Sequence, residues 1–371
     1  MHSHANMRIL ATALSLALAL PITACGSAGT SNTSASTGAS VSSASTAATT
    51  QATENNTPRR LIIDTDTGAD DASAIILAAL DKNVGIEGVT VLAGNTDLEQ
   101  ATKNALAALE VAGAEAPVYK GSASTYDGVE QTVFSVFGTD GMGDAGLVNP
   151  KGKAQEGDAV DFILETVKNN PGEIEIVCLG PATNIAKAIE RDPATMAKAK
   201  MIWSMGSAGL GHGNASPVAE FNVYKDAKAY KVLLDSGLPI TVVGLDMCRD
   251  DAMWSEEQFT ELGKQGTVGK FVADSFGKLR EFYAANGETA TSDCDALAMM
   301  CVLDPSFVKS TEQCHGSCIT DDKSEAYGEV IYYQEGFTYD ATLDRELNYN
   351  VKLVTGVDQA AYFANYLAAI K

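Results

Sequence analysis

The chain has 371 residues and a formal net charge of −22, with 48 acidic against 26 basic side chains. Such a surface repels phosphate, which argues against nucleic acid or anionic lipid as a binding partner, and it makes cation binding easy to support. The seven cysteines contain no pair of C-x-x-C units, so zinc is not expected.

The first predicted element is a secretory signal over residues 1–24. It has one arginine, an apolar core from Ile9 to Leu20 and small residues before Cys25, and it is too short to span a bilayer as a mature helix. Its end, ITAC, resembles a bacterial lipobox, in which the cysteine is acylated after cleavage. We therefore expect an extracytoplasmic protein that is anchored to the cell membrane only through a lipid on Cys25. An ordinary signal cut near Ala24 is the alternative.

The next segment, residues 25–58, consists almost entirely of Ser, Thr, Ala, Gly, Asn and Gln. It lacks the apolar periodicity that a packed core requires, so it is predicted to be a flexible tether. The remaining residues, 59–371, suit one large α/β domain.

Within this domain, apolar runs typical of buried strands alternate with segments of helical period. The alternation predicts a central, mostly parallel sheet flanked by helices, which is a Rossmann-like core. Ligands bind beyond the carboxyl ends of the strands in such sheets. The predicted strands are 60–64, 86–94, 174–180, 199–206 and 239–246, and the helices between them are 71–82, 98–113, 158–170, 183–192 and 226–237.

The end of the first strand carries four aspartates within eight residues, in the stretch DTDTGADD that begins at Asp64. So many carboxylates repel one another unless a positive centre compensates them. An EF-hand loop is excluded, because its sixth position would be Ala69 and its twelfth Ile75. A haloacid-dehalogenase-type phosphatase also ends a strand in D-x-D, but there Gly then Thr normally follow, whereas here Thr67 precedes Gly68. Helix capping accounts for one or two of the aspartates.

The stretch DTDTGADDASAI resembles the D-x-D-P-G-x-D-D signature of the inosine-uridine-preferring nucleoside hydrolases, with Thr67 in place of Pro. Further blocks match in order, namely VTVLAGN, CLGPATNIAKAI, the segment from MGSAGLGHGN to AEFNVYKDAKA, and DCDALAMMCVLDP. The resemblance extends from about Leu61 to the C-terminal stretch VDQAAYFANYLAAI.

The resemblance implies a Ca²⁺-dependent enzyme that cleaves the N-glycosidic bond of nucleosides, with a nucleoside as its small-molecule substrate. Oxygen ligands of this kind suit Ca²⁺. The resemblance implies that Asp66 is both the general base and a metal ligand. It implies further metal ligands at Asp71, Asp295 and the backbone carbonyl of Leu179, and a supporting position for Asp64. The residues expected to bind the ribose are Asp70, Asn95, Asn214, Glu220, Phe221 and Asn222. Family members commonly form dimers or tetramers, so the resemblance is compatible with a homo-oligomer, but nothing in this sequence fixes the assembly.

The chain differs from many family members at the positions that would protonate the leaving base. Cys294 and Phe137 stand at positions where many members have histidine, and a thiol at Cys294 is a conceivable weak acid. His212 is a second candidate for acid or base-ring contact. Tyr283, on a predicted helix before Cys294, is a candidate for contacting the base.

The predicted function is hydrolysis of nucleosides to free base and ribose for salvage. A nucleoside-binding lipoprotein with weak or no hydrolase activity is the alternative that the missing histidines favour, and the phosphatase described above is a further alternative. The sequence also leaves open whether Cys314 and Cys318 are bridged or free.

Overall fold

The structure is a computed structural model that describes residues 58–133, 135–336 and 347–371. The predicted signal, Cys25 and all of the tether except Pro58 lie outside these residues, so the predicted boundaries stay predictions. Of the helices in the described part of the chain, not one is long and apolar enough to cross a membrane.

The central element is a nine-stranded sheet in the order β10-β9-β11-β6-β5-β4-β1-β2-β3. All neighbours from β11 to β3 are parallel, and only the pairs that involve β9 are antiparallel. The predicted parallel α/β fold is therefore confirmed. The strands are β1 Arg59–Thr65, β2 Val84–Val91, β3 Val118–Lys120, β4 Ile174–Cys178, β5 Met201–Met205, β6 Ile240–Val243, β9 Val308–Cys318, β10 Val330–Gln334 and β11 Val351–Val357, while β7 Trp254–Ser255 and β8 Ala290–Thr291 form a separate small pair.

Helices cover both faces of this sheet. Leu61 and Ile63 of β1 belong to one hydrophobic cluster and Ile62 to another, as the alternation of side chains along a strand requires. The helices are α1 Ala69–Leu80, α2 Leu98–Val111, α3 Ala159–Asn169, α4 Thr183–Arg191, α5 Pro193–Met196, α6 Phe221–Lys225, α7 Ala227–Asp235, α8 Glu256–Leu262, α9 Gly266–Ser275, α10 Gly277–Ala285, α11 Cys294–Leu303 and α12 Tyr362–Ala369.

The C-terminal strands were not predicted from the sequence. β9 has the sequence VKSTEQCHGSC, and its first half carries exposed polar side chains, so the apolar run that identifies a buried strand is missing. Cys314 and Cys318 both lie on β9 and are free. Four residues along a strand span about 13 Å, which is too far for a disulfide.

Candidate active site

A cavity of 610 Å³ opens where the carboxyl ends of the central parallel strands meet. Most of the residues that the sequence predicted for the site line it. These residues are Asp70, Asn95, Phe137, Leu179, Asn214, Glu220, Phe221, Asn222, Tyr283, Cys294 and Asp295.

Asp66 is fully buried directly after β1, in a space that two glycines leave open. A Cβ built on Gly94 would lie 2.1 Å from its Oδ2, and one on Gly180 would lie 2.6 Å from its Oδ1. The backbone N–H of Asn95 donates a hydrogen bond to Oδ2 at 2.6 Å, whereas the buried Oδ1 has no hydrogen-bond partner among the described residues. One oxygen of Asp66 is thus fixed and the other is available to a ligand. The two glycines were not predicted as site residues, although each is the last residue of a strand predicted from the sequence.

Asp71 is held by three donors. The hydroxyl of Thr65 donates to its Oδ1 at 2.6 Å, and the backbone N–H of Gly68 and the side-chain amide of Asn95 donate to its Oδ2 at 2.9 Å and 3.0 Å. Asn95 therefore positions Asp66 through its backbone and Asp71 through its side chain. The sequence suggested only a ribose contact for Asn95, and it gave no sign of the role of Thr65.

Asp70, Asp71 and Asp295 present carboxylate oxygens within 4.8 Å of one another, an arrangement that could hold a metal ion. Burial is the main cause that raises the pKa of each of the three carboxyls, and the charge of Asp71 raises the pKa of the other two. A cation would offset this repulsion. The unpartnered oxygen of Asp66 and the all-oxygen donor set fit a hard divalent cation.

Asp64 supports the cluster from the end of the strand. Its Oδ1 accepts hydrogen bonds from the hydroxyl of Thr90 at 2.6 Å and from the side-chain amide of Asn184 at 2.9 Å. Burial raises its pKa to about 7. Asn184 was not predicted from the sequence as a site residue; its side chain also accepts the backbone N–H of Ser122 at 3.0 Å and so links β1 to the segment after β3.

Glu220 and its neighbours form the opposite wall of the cavity. Glu220 is buried and accepts backbone N–H groups of Ser207, Asn222 and Val223 at 3.1, 2.8 and 3.2 Å. Burial raises its pKa to about 7. The position before α6 explains the bonds from Asn222 and Val223, because the first N–H groups of a helix lack partners within it, and the bond from Ser207 ties the segment after β5 to the same carboxylate.

The side chains of two asparagines are fixed on the same wall. Asn214 accepts the backbone N–H of Phe221 at 2.9 Å, and Asn222 donates to the backbone carbonyl of Leu179 at 2.6 Å. The carbonyl predicted as a metal ligand therefore also contacts a predicted ribose-binding residue.

His212 is not part of the cavity lining. Its ring is exposed, with Nε2 3.0 Å from a guanidinium nitrogen of Arg249 and Nδ1 3.2 Å from the carbonyl oxygen of Gly213. The prediction that His212 contacts the base is thus not supported by its position. Proximity to Asn214 in sequence was misleading, because the loop turns the imidazole toward Arg249.

Cys294 lines the cavity but is joined to Cys248 in a disulfide. The prediction that its thiol acts as an acid is therefore wrong, because a disulfide sulfur carries no proton. Phe137 is buried and lines the same cavity with an apolar ring. Neither Cys294 nor Phe137 supplies a proton donor in this structure.

Tyr283 on α10 lines the cavity, and burial raises the pKa of its phenol. Its hydroxyl is therefore protonated at neutral pH. The side chains of Leu279 and Phe282 from the same helix also line the cavity, so this wall combines apolar surface with one phenolic donor.

The model of the inosine-uridine preferring nucleoside hydrolase family matches residues 61–364. The probable uridine nucleosidase 1 of Oryza sativa subsp. japonica is 38% identical over 227 residues, which is 61% of this chain and 70% of that protein. The pyrimidine-specific ribonucleoside hydrolase RihB of Escherichia coli strain SE11 is 29% identical over 281 residues, covering 71% of this chain and 88% of that protein.

Solved structures show the same likeness. A plant nucleoside hydrolase, PpNRh1, superimposes with a TM-score of 0.77 at 28% identity, covering 85% of this chain and 99% of that chain. A purine-preferring ribonucleoside hydrolase from Gardnerella vaginalis has a TM-score of 0.74 at 29% identity, covering 84% and 98%. The fold and the acidic cavity define an α/β hydrolytic enzyme with an aspartate cluster. The chain belongs to the inosine-uridine preferring nucleoside hydrolase family.

Proposed function

We propose that this chain hydrolyses the N-glycosidic bond of nucleosides in a Ca²⁺-dependent reaction, releasing free base and ribose for salvage. The observation that carries the proposal is that Asp70 and Asp295 line the same cavity as Glu220 and Asn222, with a carboxylate oxygen of Asp71 within 4.8 Å of both aspartates. One wall can hold a cation and the other can hold sugar hydroxyls. The phosphatase hypothesis is set aside, because the chain belongs to a different enzyme family.

The residues that would hold Ca²⁺ are Asp66, Asp71, Asp295 and the carbonyl of Leu179, all of which offer oxygen. A bound Ca²⁺ would supply a positive charge that lowers the pKa of a nearby water molecule and attracts sugar hydroxyl oxygens. Asp70 is proposed to accept a hydrogen bond from a ribose hydroxyl beside the cation, and the closeness of its carboxylate to those of Asp71 and Asp295 supports this role.

Asp66 is the proposed general base. Its Oδ2 is anchored by Asn95, and its free Oδ1 accepts the proton of the attacking water. The neighbouring carboxylates stabilise the positive charge that develops on the sugar as the glycosidic bond breaks. Glu220, Asn214 and Asn222 orient the sugar, and Phe221 covers it.

Tyr283 is the proposed donor to the leaving base, because the residue lines the cavity and its phenol, which is hydrogen-bonded with Ser292, is protonated. A phenol with a raised pKa is a weak acid, so it serves as a hydrogen-bond donor to a base nitrogen or oxygen whose charge grows as the bond breaks.

The cellular setting is also proposed. We infer that the protein is secreted and lipid-anchored at Cys25, outside the described residues. The Cys248–Cys294 disulfide supports this setting, because disulfides persist in oxidising compartments. Cell fractionation of wild type and Cys25→Ala tests it, since only the wild type should stay with the membrane. A Cys25→Ala protein that remains membrane-bound would contradict the anchor.

The activity is tested by incubating purified protein with a panel of purine and pyrimidine nucleosides, with Ca²⁺ or with a chelator, and measuring reducing sugar. We expect release with Ca²⁺, little release with chelator, and a large loss of release in Asp66→Asn. Asp161→Asn, at an exposed carboxylate that pairs with Arg191, is the matched control. Ca²⁺-dependent nucleoside binding without any release would instead support the nucleoside-binding lipoprotein.

A further inference from the structure

We propose that the Cys248–Cys294 disulfide is a positioning element of the active site, which holds Asp295 and the sugar-binding loop 207–222 in their relative places. The two cysteines are 46 residues apart in sequence and their Cα atoms are 5.2 Å apart. This inference rests on the proposed function, since Asp295 needs fixing only if it binds the cation.

On one side, the disulfide fixes the first turn of α11. Cys294 is the first residue of this helix, Asp293 accepts the N–H of Ala296 as its N-cap, and Asp295 follows directly. Asp295 shares its surroundings with Asp70 and Asp71, and these carboxylates repel one another. A covalent link one residue away opposes the displacement that this repulsion favours.

On the other side, the disulfide joins a short 3₁₀ segment, Leu245–Cys248, that follows β6. This segment is bonded to the sugar-binding loop, because Asp246 accepts the backbone N–H of Leu210 at 2.9 Å. A Cβ built on Gly209 would lie 1.9 Å from Oδ1 of Asp246, so the loop and the segment are in close contact.

The next residue, Arg249, extends the same connection. Its guanidinium donates to the carbonyl of Gly213 at 3.3 Å, immediately before Asn214 in the cavity wall. The disulfide is therefore the covalent step in a path from the metal-binding wall to the sugar-binding wall. The resemblance to the family suggested that Cys294 donates a proton, whereas in the structure its sulfur is bonded to Cys248 and holds two walls of the cavity in place.

This cysteine pair differs from the other cysteines of the described chain. Cys178, Cys301, Cys314 and Cys318 are buried and free, whereas Cys294 is partly exposed to the cavity and within reach of a small dithiol. Reduction by a dithiol transfers two electrons to the disulfide, giving two protein thiols and one cyclic disulfide of the reagent.

The test measures Ca²⁺ affinity by calorimetry on the full-length protein before reduction, after reduction with dithiothreitol, and after reoxidation. Thiol counts in denaturant show whether two thiols appear. We expect reduction to weaken Ca²⁺ affinity by about tenfold, the size of effect typical of residues that orient metal ligands, and reoxidation to restore it. We expect kcat on a nucleoside to fall on reduction as the Ca²⁺ affinity does. The assay is run well below the temperature at which the reduced form unfolds, so that unfolding cannot cause the loss.

Matched variants separate positioning from general stability. The double variant Cys248→Ala/Cys294→Ala should bind Ca²⁺ as weakly as the reduced wild type and should not respond to dithiothreitol. Cys301→Ala removes a free, buried thiol from the same helix, so it should retain both the affinity and the response of the wild type.

The remaining outcomes contradict either the positioning role or the proposed function. A reduced protein with a lower unfolding temperature but unchanged Ca²⁺ affinity and kcat would overturn the positioning role, and so would two extra thiols already present before reduction. Both results leave the proposed function standing. An oxidised protein that neither binds Ca²⁺ nor releases base would overturn the proposed function, and the positioning role with it.

Discussion

Gly180 lies so close to Asp66 that a Cβ on the glycine would be 2.6 Å from the carboxylate Oδ1 and 2.9 Å from the backbone nitrogen. The carboxylate therefore occupies space that only a glycine at position 180 leaves open. This oxygen has no hydrogen-bond partner among the described residues, and we have proposed that it takes the proton from water.

Gly180→Ala should move the Asp66 carboxylate and lower kcat by about 100-fold, the loss that a displacement of about 1 Å can cause in a catalytic group. Steady-state kinetics on a nucleoside measure this effect. Gly85→Ala is the control, because a Cβ there meets nothing closer than 4.0 Å. Wild-type kcat in a folded Gly180→Ala protein would contradict the role of Asp66 Oδ1.

Asn95→Ala should weaken Ca²⁺ binding by about tenfold, because it removes the amide that orients Asp71. The backbone bond from residue 95 to Asp66 is retained, so the loss should appear mainly in Ca²⁺ affinity, as measured by calorimetry. Asn169→Ala, at an exposed position near the end of α3, controls for loss of an amide. Equal Ca²⁺ affinity in both variants would show that Asp71 needs no such support.

Tyr283→Phe should lower kcat on nucleosides by about 100-fold if its phenol assists departure of the base. Activity on 4-nitrophenyl riboside should change little, because nitrophenolate leaves without a proton. Comparing the two substrates therefore separates leaving-group assistance from sugar binding. Tyr224→Phe removes another phenol from the cavity lining and should affect both substrates equally and slightly. An equal, large loss on both substrates for Tyr283→Phe would refute the donor role.

The metal-free protein should lose stability as the pH rises from about 4 to about 7. Burial raises the pKa of Asp64 from 3.8 and that of Glu220 from 4.5, each to about 7. In this window the unfolded chain has released protons that the folded protein keeps, so the free energy of unfolding falls with rising pH, by at most about 1.4 kcal/mol per pH unit for each group.

Thermal unfolding in chelator between pH 4 and 8 measures this slope, and Glu220→Gln should reduce it. Ca²⁺ favours ionised carboxylates, so the stabilisation that it gives should increase over the same range. A metal-free protein whose stability rises from pH 4 to 7 would contradict the raised pKa values.

The sequence predicted correctly those features that depend on the order of residues within a short segment. Strands β1, β2, β4, β5 and β6 were predicted because they are buried on both faces and so form continuous apolar runs. Asp70 and Asp71 could be assigned to one site because they begin the helix that directly follows β1. Strand β9, which lies between β10 and β11, escaped prediction because its first half carries exposed polar side chains and so lacks that pattern.

By itself, the sequence determined the parallel α/β fold and the family, since both are carried by short local blocks that follow one another in order, and each aspartate of the site could be identified from the block in which it stands. Only the tertiary structure decided the partners of those residues. It bonded Cys294 to Cys248, turned His212 toward Arg249 and placed Asp66 between Gly94 and Gly180. These contacts join segments far apart in sequence, and packing of the whole domain, which no local pattern records, brings them together.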